Sequence, residues 1–130
     1  MCICKIIKKE KECYLIYESD TIMSFLDVDP INEGHLLIIP KIHQSSIDKI
    51  PLFILNDMIE LSQKIVSALT QIYKLDGYSI MQNGGDFCEF GHFHLHIFPR
   101  YQDDGFGWTY PQGPFEYSMN VANKIINYLK

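Results

Sequence analysis

The apolar residues of this chain follow two different periods. Short β-prone runs predict strands, and the histidine-containing run near residue 95 alternates because successive strand side chains point to opposite faces. The run that starts at His35 is apolar up to Pro40, which predicts a central strand. The predicted strands are Cys13 to Tyr17, Thr21 to Asp27, His35 to Ile39, Tyr78 to Gln82 and Gly91 to Pro99. The first two are separated by Glu18-Ser19-Asp20, which predicts a hairpin.

A long helical pattern lies in the middle of the chain, from Pro51 to Leu75. Pro51 suits the first helical position, and Asp76-Gly77 ends the pattern. One apolar stripe at helical spacing is expected to face the sheet, and it comprises Leu55, Met58, Ile59, Ser62, Ile65, Val66, Leu69, Ile72 and Tyr73.

A second helix is predicted near the end of the chain, from Glu116 to Leu129. The order of elements is strands, one long helix, more strands and a tail. This order predicts an α+β domain with an antiparallel sheet of about five strands, one long helix and a C-terminal helix. We expect a single domain over residues 1–130, with a C-terminal tail from about residue 101.

Composition narrows the choice of partner. The 130 residues carry a formal net charge of −5, which argues against broad binding to nucleic acid or to an anionic membrane. The sequence contains no apolar run long enough to span a bilayer, and no secretory signal is recognised at the start. We therefore expect a cytoplasmic protein, whose four cysteines are reduced thiols or metal ligands.

The run His92-Phe93-His94-Leu95-His96-Ile97-Phe98 contains three of the five histidines. On a strand, the three imidazoles would share one face, and Phe93, Leu95 and Ile97 would share the other. An imidazole near neutral pH acts as a nucleophile, a proton carrier or a metal ligand. Two interpretations follow: three ligands of a divalent metal such as zinc, or a nucleophile for phosphorus with phosphate-binding neighbours.

Other polar residues favour the second interpretation. His35 begins another predicted strand and can enter the same site. The loop Gln82-Asn83-Gly84-Gly85-Asp86 supplies amide groups and a backbone that can approach an anion closely. Asp27 ends the second strand, where its carboxylate can accept hydrogen bonds from ribose hydroxyls. Together these groups fit a nucleotide better than a bare metal ion.

These motifs resemble those of the histidine triad (HIT) family. The signature His-x-His-x-His followed by two apolar residues matches residues 92–98, and Pro99-Arg100 is also typical. The upstream segments 25–30 and 34–43 match as well, so the resemblance covers roughly the first hundred residues. It implies an HIT-like antiparallel sheet and a two-fold homodimer, in which Trp108 or its neighbours contact the nucleotide of the other subunit.

The resemblance also implies roles for the histidines. His94 would attack the α-phosphorus of a purine nucleotide conjugate, and water would then release the nucleoside monophosphate. His92 would position the nucleophile, His96 would bind a phosphate oxygen, and His35 would complete the cluster. The conjugate would be a phosphoramidate or a dinucleoside polyphosphate, and catalysis would need no cofactor.

By the same resemblance, Asp27 would hold the ribose hydroxyls, Phe25 and Val28 would line the base and sugar pocket, and Gln82 or Asn83 would face the phosphate. One departure concerns the leaving group. Relatives often carry Gly-Gln-Ser or Gly-Gln-Thr before the triad, whereas this chain has Phe87-Cys88-Glu89-Phe90. Glu89 could act as a general acid, or it could repel a polyphosphate leaving group.

A second departure concerns zinc. Bacterial relatives often combine Cys-x-x-Cys with two histidines in a structural zinc site. Here the corresponding residues are Cys2, Cys4, His43 and His92, with the thiols one residue closer together. Thiols two residues apart lie on the same side of an extended chain but about 7 Å from each other, so the chain would need a bend for both to bind one ion.

The sequence is compatible with three functional hypotheses. The first is a nucleotide hydrolase or transferase that works through a nucleotidyl-histidine intermediate. The second is a nucleotide-binding regulatory module with little catalysis, motivated by Glu89. The third is a metal-dependent hydrolase with His92, His94 and His96 as ligands.

Overall fold

The fold is a five-stranded antiparallel sheet with one long helix, as a computed structural model describes it for residues 13–129. The sheet order is β1-β2-β3-β5-β4, and every neighbouring pair is antiparallel. In chain order, the elements are β1 (Leu15–Glu18), β2 (Ile22–Leu26), β3 (Leu36–Pro40), α1 (Leu52–Ile72), β4 (Gly77–Met81), β5 (Leu95–Arg100) and α2 (Met119–Leu129). The predicted α+β architecture is confirmed.

Two short 3-10 helices, Ile47–Lys49 and Gly85–Phe87, interrupt the loops that flank α1 and β4. Helix α1 begins after Pro51, which is its N-cap rather than its first residue. Helix α2 begins at Met119, three positions later than the sequence pattern predicts. Within residues 13–129, none of the helices is both long enough and apolar enough to cross a membrane.

Helix α1 covers one face of the sheet and forms the main core with it. The buried core residues are Ile22, Leu36, Ile38, Ile50, Ile54, Met58, Leu61, Ile65, Leu69, Phe93, Leu95 and Ile97. The predicted stripe is wrong at Ile59 and Ile72, which are 52% and 68% exposed. Ile59 lies a quarter-turn from Met58, at the margin of the packed face, and Ile72 ends the helix.

The histidine run is only partly a strand. Strand β5 begins at Leu95, so His96 lies on the strand whereas His92 and His94 precede it. The pairing with β3 ends at Leu95 opposite Ile38, and further upstream the Phe93 N–H donates instead to the Gln44 carbonyl. The predicted alternation nevertheless persists, because Phe93, Leu95 and Ile97 all enter the core under α1. The histidines are thereby directed away from α1.

Candidate active site

Strand pairing brings Asp27, His35 and His96 together. Asp27 follows β2 and its N–H donates to the His35 carbonyl, which precedes β3. The β3–β5 register pairs Leu37 with His96 and so places the His35 ring beside the His96 ring. His35 Nε2 lies 3.0 Å from His96 Nδ1 and 3.4 Å from Asp27 Oδ2.

The backbone defines which nitrogens of these two rings carry protons. The Ile31 N–H donates to His35 Nδ1 at 3.0 Å, so the proton of a neutral His35 resides on Nε2. His35 Nε2–H then donates to His96 Nδ1, and the proton of a neutral His96 resides on its Nε2. Burial lowers the pKa of His35 and lowers the pKa of His96 to about 4, so both rings are neutral at pH 7.

His94 has the opposite arrangement. Its Nδ1 lies 2.8 Å from the His92 carbonyl oxygen, which can only accept, so Nδ1 carries the proton and Nε2 carries a lone pair. Nε2 is buried, and in the described part of the chain it is the one buried side-chain nitrogen or oxygen without a hydrogen-bond partner. The rings of Phe90 and His96 stand 5.1 and 4.8 Å away, measured between centroids. Such a desolvated imidazole nitrogen is suited to attack an electrophile.

His92 forms hydrogen bonds through both its backbone carbonyl and its ring. Its carbonyl orients His94, and the Cys88 thiol also donates to that carbonyl at 3.5 Å. Its ring donates from Nε2 to the Pro40 carbonyl at 2.8 Å, while its Nδ1 faces the Nδ1 of His43 at 3.3 Å. Burial lowers the pKa of the His92 ring, which favours the neutral form.

The predicted base and ribose pocket is only partly assembled from the expected residues. A cleft of about 780 Å³ is lined by Cys13, Tyr14, Leu26, Asp27 and Val28. Phe25 is fully buried in a small second core with Met23, Leu37 and Ile39, so it supports the cleft without lining it. Asp27 Oδ1 already accepts the Asp29 N–H at 2.9 Å, so a ribose hydroxyl would share that carboxylate with the turn.

The three remaining predicted nucleotide-binding residues, Gln82, Asn83 and Glu89, lie in three different surroundings. Asn83 lines a second cleft of about 610 Å³, together with parts of β4, Arg100 and Trp108. The Gln82 amide donates to the Asn83 carbonyl at 2.9 Å. Glu89 is exposed in the loop that precedes the triad.

The same side chains bear on metal binding. Potential ligand atoms of Asp27, His35 and His96 lie within 4.8 Å of one another, a spacing that a metal ion can bridge. However, His35 Nε2 can bind a metal only after losing its proton, and Nδ1 already uses its lone pair on the Ile31 N–H. The three triad residues have different partners, which disfavours a shared metal among them. Cys2 and Cys4 lie outside the described residues.

Several contributors are not evident from the sequence pattern. The Phe90 ring packs beside the His94 ring at a tilt of 50°, and the Pro40 carbonyl fixes the His92 ring. The Ile31 N–H determines the His35 tautomer although an isoleucine gives no chemical signal. Only Phe90 could have been found, as an aromatic residue two positions before the triad.

Comparison with known proteins decides the family. A family model described as the HIT domain matches residues 8–103. The chain belongs to the HIT domain family. It is 41% identical over 108 residues to an uncharacterized HIT-like protein of Methanocaldococcus jannaschii, covering 81% of this chain and 83% of that protein. It is 35% identical over 118 residues to the adenosine 5′-monophosphoramidase of Saccharomyces cerevisiae, covering 87% and 72%.

Solved structures of HIT proteins have the same fold. A HIT family protein from Bacillus anthracis superposes with a TM-score of 0.86 at 33% identity, over 99% of this chain and 97% of that chain. A zinc-bound histidine triad family protein from Mycobacterium smegmatis superposes with a TM-score of 0.72 at 28% identity, over 86% and 84%. The resemblance inferred from the triad motif is therefore confirmed.

Proposed function

We propose that this HIT protein is a nucleotide hydrolase or transferase that cleaves the α-phosphate linkage of purine nucleotide conjugates. His94 Nε2 attacks the α-phosphorus, a nitrogen–phosphorus bond forms, and the bond to the leaving group breaks as that group takes up a proton from the solvent. Water or another hydroxyl acceptor then attacks phosphorus and gives its proton to the solvent, and His94 departs with its lone pair. The single observation that carries this proposal is the buried, unpartnered Nε2 of His94, whose Nδ1–H is fixed on the His92 carbonyl.

The neighbouring rings support the displacement. With the His96 proton on Nε2, this ring can donate to a non-bridging phosphate oxygen as negative charge develops there. Asp27 and His35 hold His96 from behind. His92 acts on the nucleophile through its carbonyl rather than its ring.

The leaving group is expected to be small. The exposed carboxylate of Glu89 lies in the loop just before the triad, and it would repel a polyphosphate. The leaving group of a phosphoramidate carries less negative charge than a polyphosphate leaving group does. Because a relative that is 35% identical is named an adenosine 5′-monophosphoramidase, adenosine 5′-phosphoramidate is the first substrate to test.

The experiment measures AMP release from adenosine 5′-phosphoramidate by wild-type protein and by His94→Ala. Turnover should be lost in His94→Ala while the urea midpoint of unfolding stays close to that of the wild type. Asn56→Ala, on the exposed face of α1, is the matched surface control. Retention of turnover in His94→Ala would refute the nucleophile assignment. Tight AMP binding by the wild type without any AMP release would instead favour the nucleotide-binding module.

We also propose that His43, His92, Cys2 and Cys4 bind a structural zinc ion. Two nitrogens at 2.0–2.1 Å from a tetrahedral zinc lie about 3.3–3.4 Å apart. The Nδ1 atoms of His43 and His92 are 3.3 Å apart, and the His92 Nε2–H is held by the Pro40 carbonyl as an outer-shell acceptor. Zinc would stabilise the fold there, and elemental analysis should show about one zinc per chain that is lost in Cys2→Ser/Cys4→Ser. A wild-type protein purified with zinc present but holding none would refute this proposal.

Finally, we propose that residues 1–130 form one HIT domain, with a tail from about residue 101, and that it assembles as a homodimer. Strand β4 is at the end of the sheet order and presents the half-exposed side chains of Tyr78 and Ile80. Helix α2 has no buried residue although Ile125 and Leu129 are apolar. Trp108 is 93% exposed in the tail between them. Light scattering should give twice the mass of the chain, and a monomer at micromolar concentration would contradict this proposal.

A further inference from the structure

The side chain of Asn32 ties the loop between β2 and β3 to the far end of β5. Its Nδ2 donates to the Pro99 carbonyl at 2.8 Å and to Asp104 Oδ2 at 3.1 Å. Both partners are acceptors, so the orientation of the amide group is determined by the hydrogen bonds. Asn32 therefore ties this loop to the end of β5 and to the turn that follows it.

Asp104 is a firm attachment point for this amide. Its side chain is 5% exposed, and Arg100 Nε donates to its Oδ2 at 2.7 Å. The backbone N–H groups of Tyr101 and Phe106 each donate to the same carboxylate at 3.0 Å. The hydrogen bond from Arg100 and these backbone donors hold the pKa of Asp104 well below its usual range. The carboxylate is thus ionised and can only accept hydrogen bonds.

The anchored loop reaches the active site through its backbone. The Asn32 carbonyl accepts the His35 N–H at 3.1 Å, and one residue earlier the Ile31 N–H donates to His35 Nδ1 at 3.0 Å. The preceding Pro30 has a fixed φ, which restricts the loop further. Holding Asn32 in place therefore holds the Ile31 N–H against the imidazole ring.

That one N–H determines the tautomers of two rings. With the bond in place, His35 donates from Nε2 to His96 Nδ1, and His96 keeps its proton on Nε2. If the bond is lost, His35 can move its proton to Nδ1, and the shared contact then requires His96 to donate from Nδ1. His96 Nε2 would become a lone pair that repels a phosphate oxygen. Asp27 Oδ2 lies 3.4 Å from His35 Nε2 and 3.8 Å from His96 Nδ1, so it can accept from either ring.

We propose that Asn32, held by Asp104, is a positioning residue that keeps the Ile31 N–H on His35 and thereby fixes the His96 proton on Nε2. This inference rests on the proposed function only where it concerns turnover. Asn32 contacts no reacting atom and acts through His35 and His96. The ionised Asp104 and its Arg100 partner serve the active site in the same indirect way.

The decisive measurement is the tautomer of His35 in solution. Long-range ¹H–¹⁵N correlation of the imidazole rings should show His35 and His96 in the wild type with protons on Nε2 alone. In Asn32→Ala, both rings should become mixtures of the two tautomers. Asn56→Ala is the matched control, because its side chain is exposed on α1 and donates to Glu60 on the same helix. Its spectrum should equal that of the wild type.

Turnover of adenosine 5′-phosphoramidate supplies a second readout. We expect Asn32→Ala to lower activity about 10- to 100-fold, the range found when an outer-shell partner of a metal-bound histidine is removed. The loss should appear in kcat with little change in KM, because the His96 donor strengthens its bond as charge develops in the transition state. Asn32→Asp matches the size of the wild-type side chain but faces two acceptors, so it should be as defective as Asn32→Ala.

The outcomes separate this inference from the proposed function. A wild-type His35 with its proton on Nδ1 overturns the inference without any variant, even if Asn32→Ala fails to fold. Unchanged tautomers, or an unchanged kcat in a folded Asn32→Ala that releases AMP, overturn it as well. Tautomer mixing in Asn32→Ala together with an inactive wild type supports the control of the proton by Asn32 and refutes the proposed function.

Discussion

Replacement of Gly34 should destabilise the fold through both its backbone and its packing. Gly34 immediately precedes His35 and has a φ of +92°, a region that residues with a Cβ rarely adopt. A Cβ at this position would lie 2.9 Å from Cε2 of Tyr73 and 3.3 Å from Cδ2 of Leu69. Gly34→Ala therefore meets two separate penalties, one from the backbone and one from packing against α1 and the residue after it.

The expected loss in the free energy of unfolding is the sum of these two penalties. The left-handed backbone costs a non-glycine residue about 1–2 kcal/mol. Overpacking costs about 1–3 kcal/mol, and the lower end applies here because the half-buried Tyr73 ring can shift by a few tenths of an ångström. The free energy of unfolding of Gly34→Ala should thus fall by about 2–4 kcal/mol.

Two other glycines supply controls for urea denaturation. Gly91 has a φ of +63° and open space around its Cβ position, so Gly91→Ala should show the backbone cost alone, about 1–2 kcal/mol. Gly84 has a φ of −111° and the same open space, so Gly84→Ala should be close to neutral. If Gly34→Ala costs no more than Gly91→Ala, the packing argument is refuted. If Gly34→Ala costs no more than Gly84→Ala, the packing argument and the backbone argument are both refuted.

Two further predictions concern the loss of stability at acidic pH and the packing of the core. Burial lowers the folded pKa of His96 from 6.5 to about 4, so the unfolded chain binds more protons between these values and stability falls as the pH falls. Wild-type protein should lose about 2 kcal/mol from His96 between pH 7 and pH 5, and His96→Asn should lack that part of the pH dependence in urea titrations. In the core, Met58 is fully buried under the sheet, so Met58→Ala should lose about 2–5 kcal/mol, whereas Gln63→Ala on the exposed face of α1 should stay within about 0.5 kcal/mol. Equal midpoints for those two variants would contradict the assigned core.

The sequence predicts the elements well because their periods are strong. The alternation around Leu95 and the helical spacing around Met58 are long enough to identify type and buried face. Strand ends are less predictable, since pairing depends on a partner. The run before Leu95 has strand-like alternation, but its pairing with β3 stops at Leu95 and the Phe93 N–H donates to the Gln44 carbonyl instead. Strand β5 therefore starts later than the pattern suggests.

The site is predictable in its chemical residues and not in its hydrogen-bond geometry. His35 and the triad are recognisable because imidazoles are rare and regularly spaced. By contrast, the tautomers depend on the backbone at Ile31 and at His92, where side-chain identity carries no information. The Phe25 ring is fully buried in the small second core, whereas the resemblance to the HIT family predicts that it lines the base and sugar pocket.

The neutral pair of His35 and His96 has a thermodynamic consequence for ligand binding. Neither ring carries a positive charge at pH 7, because burial lowers both pKa values. An anionic phosphate beside them raises those values again, so binding draws protons from the solution. The heat of nucleotide binding should then change with the ionisation enthalpy of the buffer, and affinity should rise as the medium becomes more acidic. Occupancy of this pocket is in that sense coupled to the proton concentration around the protein.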